Sequence, residues 1–258
     1  MEEGRNSRIV GWKDCETNRN QTNRTMIIKL NKWLSKPLKK LEPNIDNHFK
    51  DLINQASMNS KTILELGGVS RPVLQKNDSY RYVGIDIDDE FVHDKYYDGF
   101  YCQSVEDQLP EKGDLIFSKY LMEHVKDVKT SYKNNLLALN HGGRMIHLYP
   151  LGYHPFSLLN KLVGNKIARK VIPLIRKGSE GVTGYPAFYD LGNAYTLERF
   201  FKNQKGIKVE FKYHYGAVDY FSFFFPLALL ISLFNQIAKT LRAKLFASNV
   251  LIVIIKED

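Results

Sequence analysis

The chain reads as a doubly wound α/β sheet, mostly parallel with an antiparallel last strand, and three observations predict it. Short runs such as KTILEL (61–66), YVGIDI (82–87) and DLIFSK (114–119) are apolar at consecutive positions, as strands buried on both faces must be. The stretches between them suit crossovers better than tight hairpins. With 258 residues, 43% of them hydrophobic, one core can close without disulfide or metal staples.

Residues 1–25 are rich in Asn, Arg and Thr and poor in apolar side chains, so they read as a flexible N-terminal segment. Their polar, acidic start is unlike a secretory signal. Residues 26–258 then form the main domain. From Met26 to Ser57 apolar residues recur at steps of three and four, which predicts two N-terminal helices broken near Pro43. Residues 60–150 form the ligand-binding half, with strands at 61–66, 82–87, more weakly at 97–102, at 114–119 and at 143–149. After Pro150 the alternation lapses. Residues 151–195 are an insertion with a basic amphipathic stretch, SLLNKLVGNKIARKVIPLIRKG, and a Gly- and Tyr-rich loop. TLERFFKNQ predicts a helix opened by Thr196, KVEFKYHY (208–215) a strand, and NVLIVIIKE the last strand.

The formal charge is +9. A basic excess of this kind suits nucleic acid, an anionic membrane surface or a plain solvated surface. No aromatic RNA-binding motif, zinc-finger spacing or long Lys/Arg block is present, so no nucleic acid is expected. Cys15 and Cys102 are too few for a disulfide framework and lack metal-type spacing, which points to a reducing, cytoplasmic setting and to no metal.

In an open parallel sheet, ligands bind at the carboxyl ends of the strands. Behind the first strand stand Gly67 and Gly68, which let the backbone pass close to a ligand. Behind the second stands Asp86, and an acid about 20 residues past a glycine loop is placed for ribose hydroxyls. No Gly-Lys-Ser/Thr follows, which excludes a phosphate-binding P-loop.

The stretch SVEDQLPEKGDLIFSKYLMEHVKDV, followed by LNHGGRMIHLYP, adds Leu109-Pro110, Asp114 to Phe117, Leu121 to Asp127 and Gly142-Gly143 in order. Over residues 60–150 this resembles the class I S-adenosylmethionine-dependent methyltransferases, a broad group that includes quinone, sugar and lipid methyltransferases. The resemblance implies a Rossmann-like sheet and S-adenosylmethionine as cofactor. It implies cofactor binding by Glu65, Gly67, Gly68 and Asp86, with Ser104 and Val105 at the adenine. Val69, Ser104 and His141 depart from the family's more frequent residues.

His124, just past the fourth strand, is the leading catalytic candidate, with a helix-capping role as the alternative. His154, past the fifth strand, is a second candidate base, and His147 reads as core. Tyr185, Tyr189 and Asp190 suit either an acceptor pocket or a packed lid. The implied reaction is methyl transfer to a small-molecule, sugar or lipid-linked acceptor, O-methylation favoured. A cofactor-binding but inactive membrane-associated module and a nicotinamide-dependent oxidoreductase are the alternatives. The segment FSFFFPLALLISLF is too short and too Pro-broken to span a bilayer. From Leu227 onward it reads as a basic amphipathic helix whose apolar face packs on the domain, in a homodimer or peripherally on a membrane.

Overall fold

The structure, a computed structural model, describes residues 25–42, 44–68, 71–90, 93–162 and 185–257. The predicted flexible segment before residue 25 and most of the basic stretch in the insertion lie outside the described residues. Seven strands form, β1 (Thr62–Leu66), β2 (Arg81–Asp86), β3 (Gly99–Cys102), β4 (Gly113–Lys119), β5 (Leu139–Pro150), β6 (Ile207–His214) and β7 (Asn249–Lys256). The helices are α1 (25–34), α2 (Lys36–Lys40), α3 (Ile45–Ser57), α4 (Val128–Ala138), α5 (155–162), α6 (Ala194–Lys202), α7 (Val218–Phe221) and α8 (Phe225–Thr240).

The chain divides into two compact units. The larger comprises Pro43–Gly216 and Asn235–Asp258 and holds one sheet of order β3-β2-β1-β4-β5-β7-β6. β1 to β5 pair in parallel, and β7 runs antiparallel between β5 and β6. The expected Rossmann-like sheet with a reversed last strand is therefore present. Both faces are covered, which is why its strands are apolar throughout. Ile63, Leu115 and Phe117 face one cluster with Phe49 and Ile53 of α3. Leu64, Leu66 and Ile116 face the other, with Tyr132 of α4 and Phe201 of α6. Full burial of each large side chain contributes roughly 1.5–3 kcal/mol.

Local sequence explains most boundaries. Asn44 caps α3 by accepting from the Asn47 N–H at 3.0 Å, and Ile45, Phe49 and Ile53 recur every fourth residue on its buried face. Asp127 does the same for α4 through Thr130. α6 is opened by Asn193, which accepts from Tyr195 N–H, and not by the expected Thr196. An amide oxygen accepts there, while the Thr196 hydroxyl donates back to the Asn193 carbonyl. β5 begins at Leu139, earlier than expected, because Gly142 adopts φ 71° within a bulge opposite Gly113 and Leu115. The β1–β2 connection carries no helix among its described residues. Pro72 lacks an amide to donate, and Asn77 folds the chain into a turn by accepting from Ser79 N–H.

The smaller unit comprises Met1–Glu42 and Ala217–Phe234. Phe225 N–H donates to Asn31 Oδ1 at 3.1 Å, Glu42 accepts from the Val218 amide at 3.1 Å, and Lys39 pairs with Asp219. α8 continues beyond this unit and departs from its amphipathic pattern. Ala228, Ile231, Ser232, Asn235 and Ala238 are buried, whereas Leu229, Leu230, Leu233, Ile237 and Leu241 are exposed. Apart from Ile231 the buried residues are small or polar, and most of the leucines are outside. Among the described residues no helix is long and apolar enough to cross a membrane.

Candidate active site

The parallel strands end together, and their ends bring the predicted residues to one edge of the sheet. Leu66 is paired with Ile85 and with Ser118, so the chain after β1 lies between the chain after β2 and the chain after β4. This is the point where strand order reverses, the place a ligand occupies in doubly wound sheets.

The β1 end is a glycine step over a buried acid. Gly67 takes φ 75°, a conformation that disfavours any side chain, and its N–H donates to the Ile85 carbonyl at 2.9 Å. Gly68 admits no side chain for a different reason, since a Cβ there would stand 2.1 Å from the Glu65 carboxyl carbon. Glu65 is only 2% exposed. Its carboxyl accepts from the Tyr82 hydroxyl and from the Val73 amide at 3.1 Å, and lies 3.2 Å from the Tyr97 hydroxyl. Tyr97 also donates to the Gly68 carbonyl. Burial outweighs these hydrogen bonds and pushes the Glu65 pKa up to about 8, so near neutrality this group is mostly an uncharged acid. Glu65 thus lies beneath the loop and fixes it. Residue 69, where the family pattern departs, is outside the described residues.

Asp86 closes β2. Its Oδ1 accepts from the Asp88 amide at 2.8 Å, and burial raises its pKa above the ordinary carboxylate value. After β3, Ser104 Oγ accepts from the Glu106 amide at 3.1 Å and Val105 is buried. Glu106 then ties this turn to the β4 end by accepting from Lys126 N–H at 2.9 Å. Ser104 and Val105 therefore sit in the same cluster of strand ends as Gly67 and Asp86.

The β4 end carries His124. Tyr120 adopts φ 56° directly after the strand, and Met122 to His124 form a single 3-10 turn. The His124 Nδ1–H donates to the Pro186 carbonyl at 3.0 Å. A carbonyl can only accept, so the neutral ring keeps its lone pair on Nε2. Burial holds the His124 pKa below the usual histidine range, with the Pro186 bond opposing it. The Tyr185 ring lies 6.2 Å from the imidazole, and its hydroxyl also feels Asp88 and Asp86. The loop is fastened beside this turn: Phe188 and Tyr189 amides donate to the Glu123 carbonyl at 2.8 and 3.1 Å, and Asp190 accepts from Val128 N–H at 3.0 Å. Tyr189 and Leu191 both take positive φ. Strained non-glycine backbone held by this many contacts gathers at functional sites.

Sequence reasoning passed over Glu123. It is 6% exposed, its Oε2 has no hydrogen-bond partner among the described residues, and burial pushes its pKa up to about 8. Its Oε1 lies 3.8 Å from His124 Nε2. The one available signal was a carboxylate beside the singled-out histidine in LMEHV.

His154 is placed differently. It is fully buried, Nδ1 accepts from the Phe156 amide at 3.1 Å and Nε2–H donates to Asn235 Oδ1 at 2.9 Å. Both ring nitrogens are occupied, so the ring pins α5 and α8 and has no lone pair to take up a proton. His147 is core as expected, bonded to Ser118 at 2.7 Å and driven by burial to a pKa of about 3. Among the described residues no group of His, Cys, Asp and Glu has the geometry of a metal site.

No protein-family model matches the chain, and no curated protein matches it either. Among solved structures it is similar to the plantazolicin methyltransferase BamL, at 13% identity over 95% of this chain and 90% of that one, TM-score 0.45. It is also similar to the N-methyltransferase NodS from Bradyrhizobium japonicum WM9, at 11% identity over 86% and 98%, TM-score 0.44. The fold assignment rests on the strand order itself: this chain has a Rossmann-like sheet of seven strands with one reversed strand between the last two parallel positions.

Proposed function

We propose that this chain transfers a methyl group from S-adenosylmethionine to a small-molecule acceptor, with sugar or lipid-linked compounds and methylation on oxygen as the favoured case. The observation that carries the reading is the juxtaposition at the switch point. Gly67 at φ 75° and the Cβ-free Gly68 meet Asp86 from the next strand, within the motif order that resembles the class I methyltransferases. The reversed β7 supports it further, since a dinucleotide-binding sheet carries its strands parallel in the order 3-2-1-4-5-6.

The residues present fit the cofactor. Gly67 at φ 75° and Gly68, packed on the Glu65 carboxyl, keep the loop backbone free of side chains, Asp86 offers a carboxylate to ribose hydroxyls, and the Ser104–Val105 turn offers a hydroxyl and an amide to the adenine. When bound, the cofactor supplies a methyl group already activated on a sulfonium. The chain's own work is then positioning and proton removal. His124 Nε2 accepts the acceptor's hydroxyl proton as its oxygen takes the methyl group. Glu123 Oε1 lies 3.8 Å from that nitrogen. Glu65 acts through the loop, as a positioning residue.

The test is incubation with methyl-labelled S-adenosylmethionine and small-molecule extracts fractionated by polarity. Label should enter a product with the wild-type chain and fall by about 100-fold or more with His124→Asn, the range that a general base supplies. Equal labelling by both would refute the role given to His124.

A further inference from the structure

The smaller unit presents an apolar surface with an unusual distribution of charge. On α1, Met26, Leu30 and Trp33 share one face, and Trp33 is 61% exposed. On α8, Leu229, Leu230 and Leu233 share another, and Leu230 is 63% exposed. The two helices are joined where Phe225 N–H donates to Asn31 Oδ1. α8 has Ala228, Ser232 and one large apolar residue, Ile231, on its buried side, while its leucines at 229, 230 and 233 point outward. Burial in the unit's own interior does not explain that choice.

The charges around these side chains have one sign. Lys29, Lys36 and Lys40 are exposed and take part in no ion pair among the described residues. The two acids of the described part are already engaged, Asp219 with Lys39 and Glu42 with the amides of Ala217 and Val218. Outward leucines, an exposed tryptophan and uncompensated lysines on short helices match a bilayer interface. There the apolar side chains enter the acyl boundary, the indole settles at the headgroups and the ammonium groups meet lipid phosphates. A second copy of this chain matches less well. A two-fold contact places the same patch on both sides, and here it would set lysines against lysines.

We propose that the face formed by α1 and the first half of α8 docks on an anionic lipid surface. This does not depend on the reading of the cofactor site.

The experiment uses the full chain with phosphatidylcholine vesicles, with and without phosphatidylglycerol, by flotation and tryptophan fluorescence. A Trp12→Phe background leaves Trp33 as the reporter. Expected are binding to the anionic vesicles that weakens as salt is raised, and a blue shift of Trp33 emission on binding. Leu230→Glu with Leu233→Glu should lower partitioning by about 100-fold, tenfold per leucine removed from the apolar phase. Lys29→Glu with Lys36→Glu should remove the preference for anionic lipid. Both pairs are exposed, and an unchanged melting temperature confirms that each variant is folded. Absence of binding by the wild-type chain overturns the proposal, as does binding that both double variants retain. A concentration-dependent dimer that the leucine variants abolish, without vesicle binding, would assign the face to a second copy instead.

Discussion

Two strand ends in this sheet each carry a buried glutamate with its pKa pushed up to about 8, and they differ in what surrounds it. At the end of β1, Glu65 is met by the Tyr82 and Tyr97 hydroxyls and the Val73 amide. At the end of β4, Glu123 has an oxygen with no partner among the described residues and the imidazole of His124 beside it. The same residue type in the same burial is thus a support at one place and an unspent polar group at the other. Most buried polar atoms in evolved cores are satisfied, and what sets Glu123 Oε2 apart from the other unpartnered atoms of the described residues is the imidazole beside it at the strand ends.

The comparison breaks most visibly on stability. Glu65→Leu strands the Tyr82 hydroxyl proton and the Val73 amide, and should cost about 2 kcal/mol or more, since each unsatisfied buried group costs roughly 1–3 kcal/mol. Glu123→Leu leaves nothing stranded and should raise stability by about 1 kcal/mol while lowering turnover, the trade expected of a functional site. Urea denaturation reads both. Destabilisation of equal size in the two variants would erase the distinction.

A second test of the comparison concerns pH. Both carboxyls hold their proton more tightly in the folded chain than at the ordinary value of 4.5. Their contribution to stability is therefore complete below about pH 4.5 and is lost as pH rises through about 8, with a slope near 1.4 kcal/mol per pH unit for each group. Glu65→Gln and Glu123→Gln should each remove about one proton from the linkage between these limits. Stability that is flat over this window in the wild type would contradict the buried, neutral state of both.

The smallest effect belongs to His124. Its pKa is held low by burial, so it is a neutral base at pH 7, and activity should be level above neutrality and fall only below pH 6.5, the ordinary histidine value. An activity limb centred above pH 7 would point to Glu123, at about 8, as the titrating group.

The sheet was legible in the sequence because burial on both faces leaves a mark in single strands: Ile63 and Leu64, or Leu115 and Ile116, are apolar neighbours facing opposite layers. Gly67 and Gly68 were legible because positive φ and close packing on Glu65 restrict residue type there, and Asp86 because it closes the next strand at a fixed spacing. What depends on partners far along the chain was not. His154 looked available until Asn235, distant in sequence, occupied its second nitrogen. Glu123 looked ordinary because lacking a partner leaves no pattern. The periodicity of α8 fixed that it has an apolar side but not which way that side points, since solvent and core accept the same spacing. Thr196 fits the cap pattern in sequence, whereas Asn193, three residues earlier and the actual cap, lies in a loop without periodicity.

The measurement that bears most directly on the central claim is calorimetric titration of the wild-type chain and Asp86→Ala with S-adenosylhomocysteine, with NADH as the control. Micromolar binding by the wild type, lost in Asp86→Ala without loss of the folded state, and no heat with NADH, is the predicted result. Equal affinity in the two chains, or binding of NADH alone, would contradict the assignment of the β1 and β2 ends as an S-adenosylmethionine site.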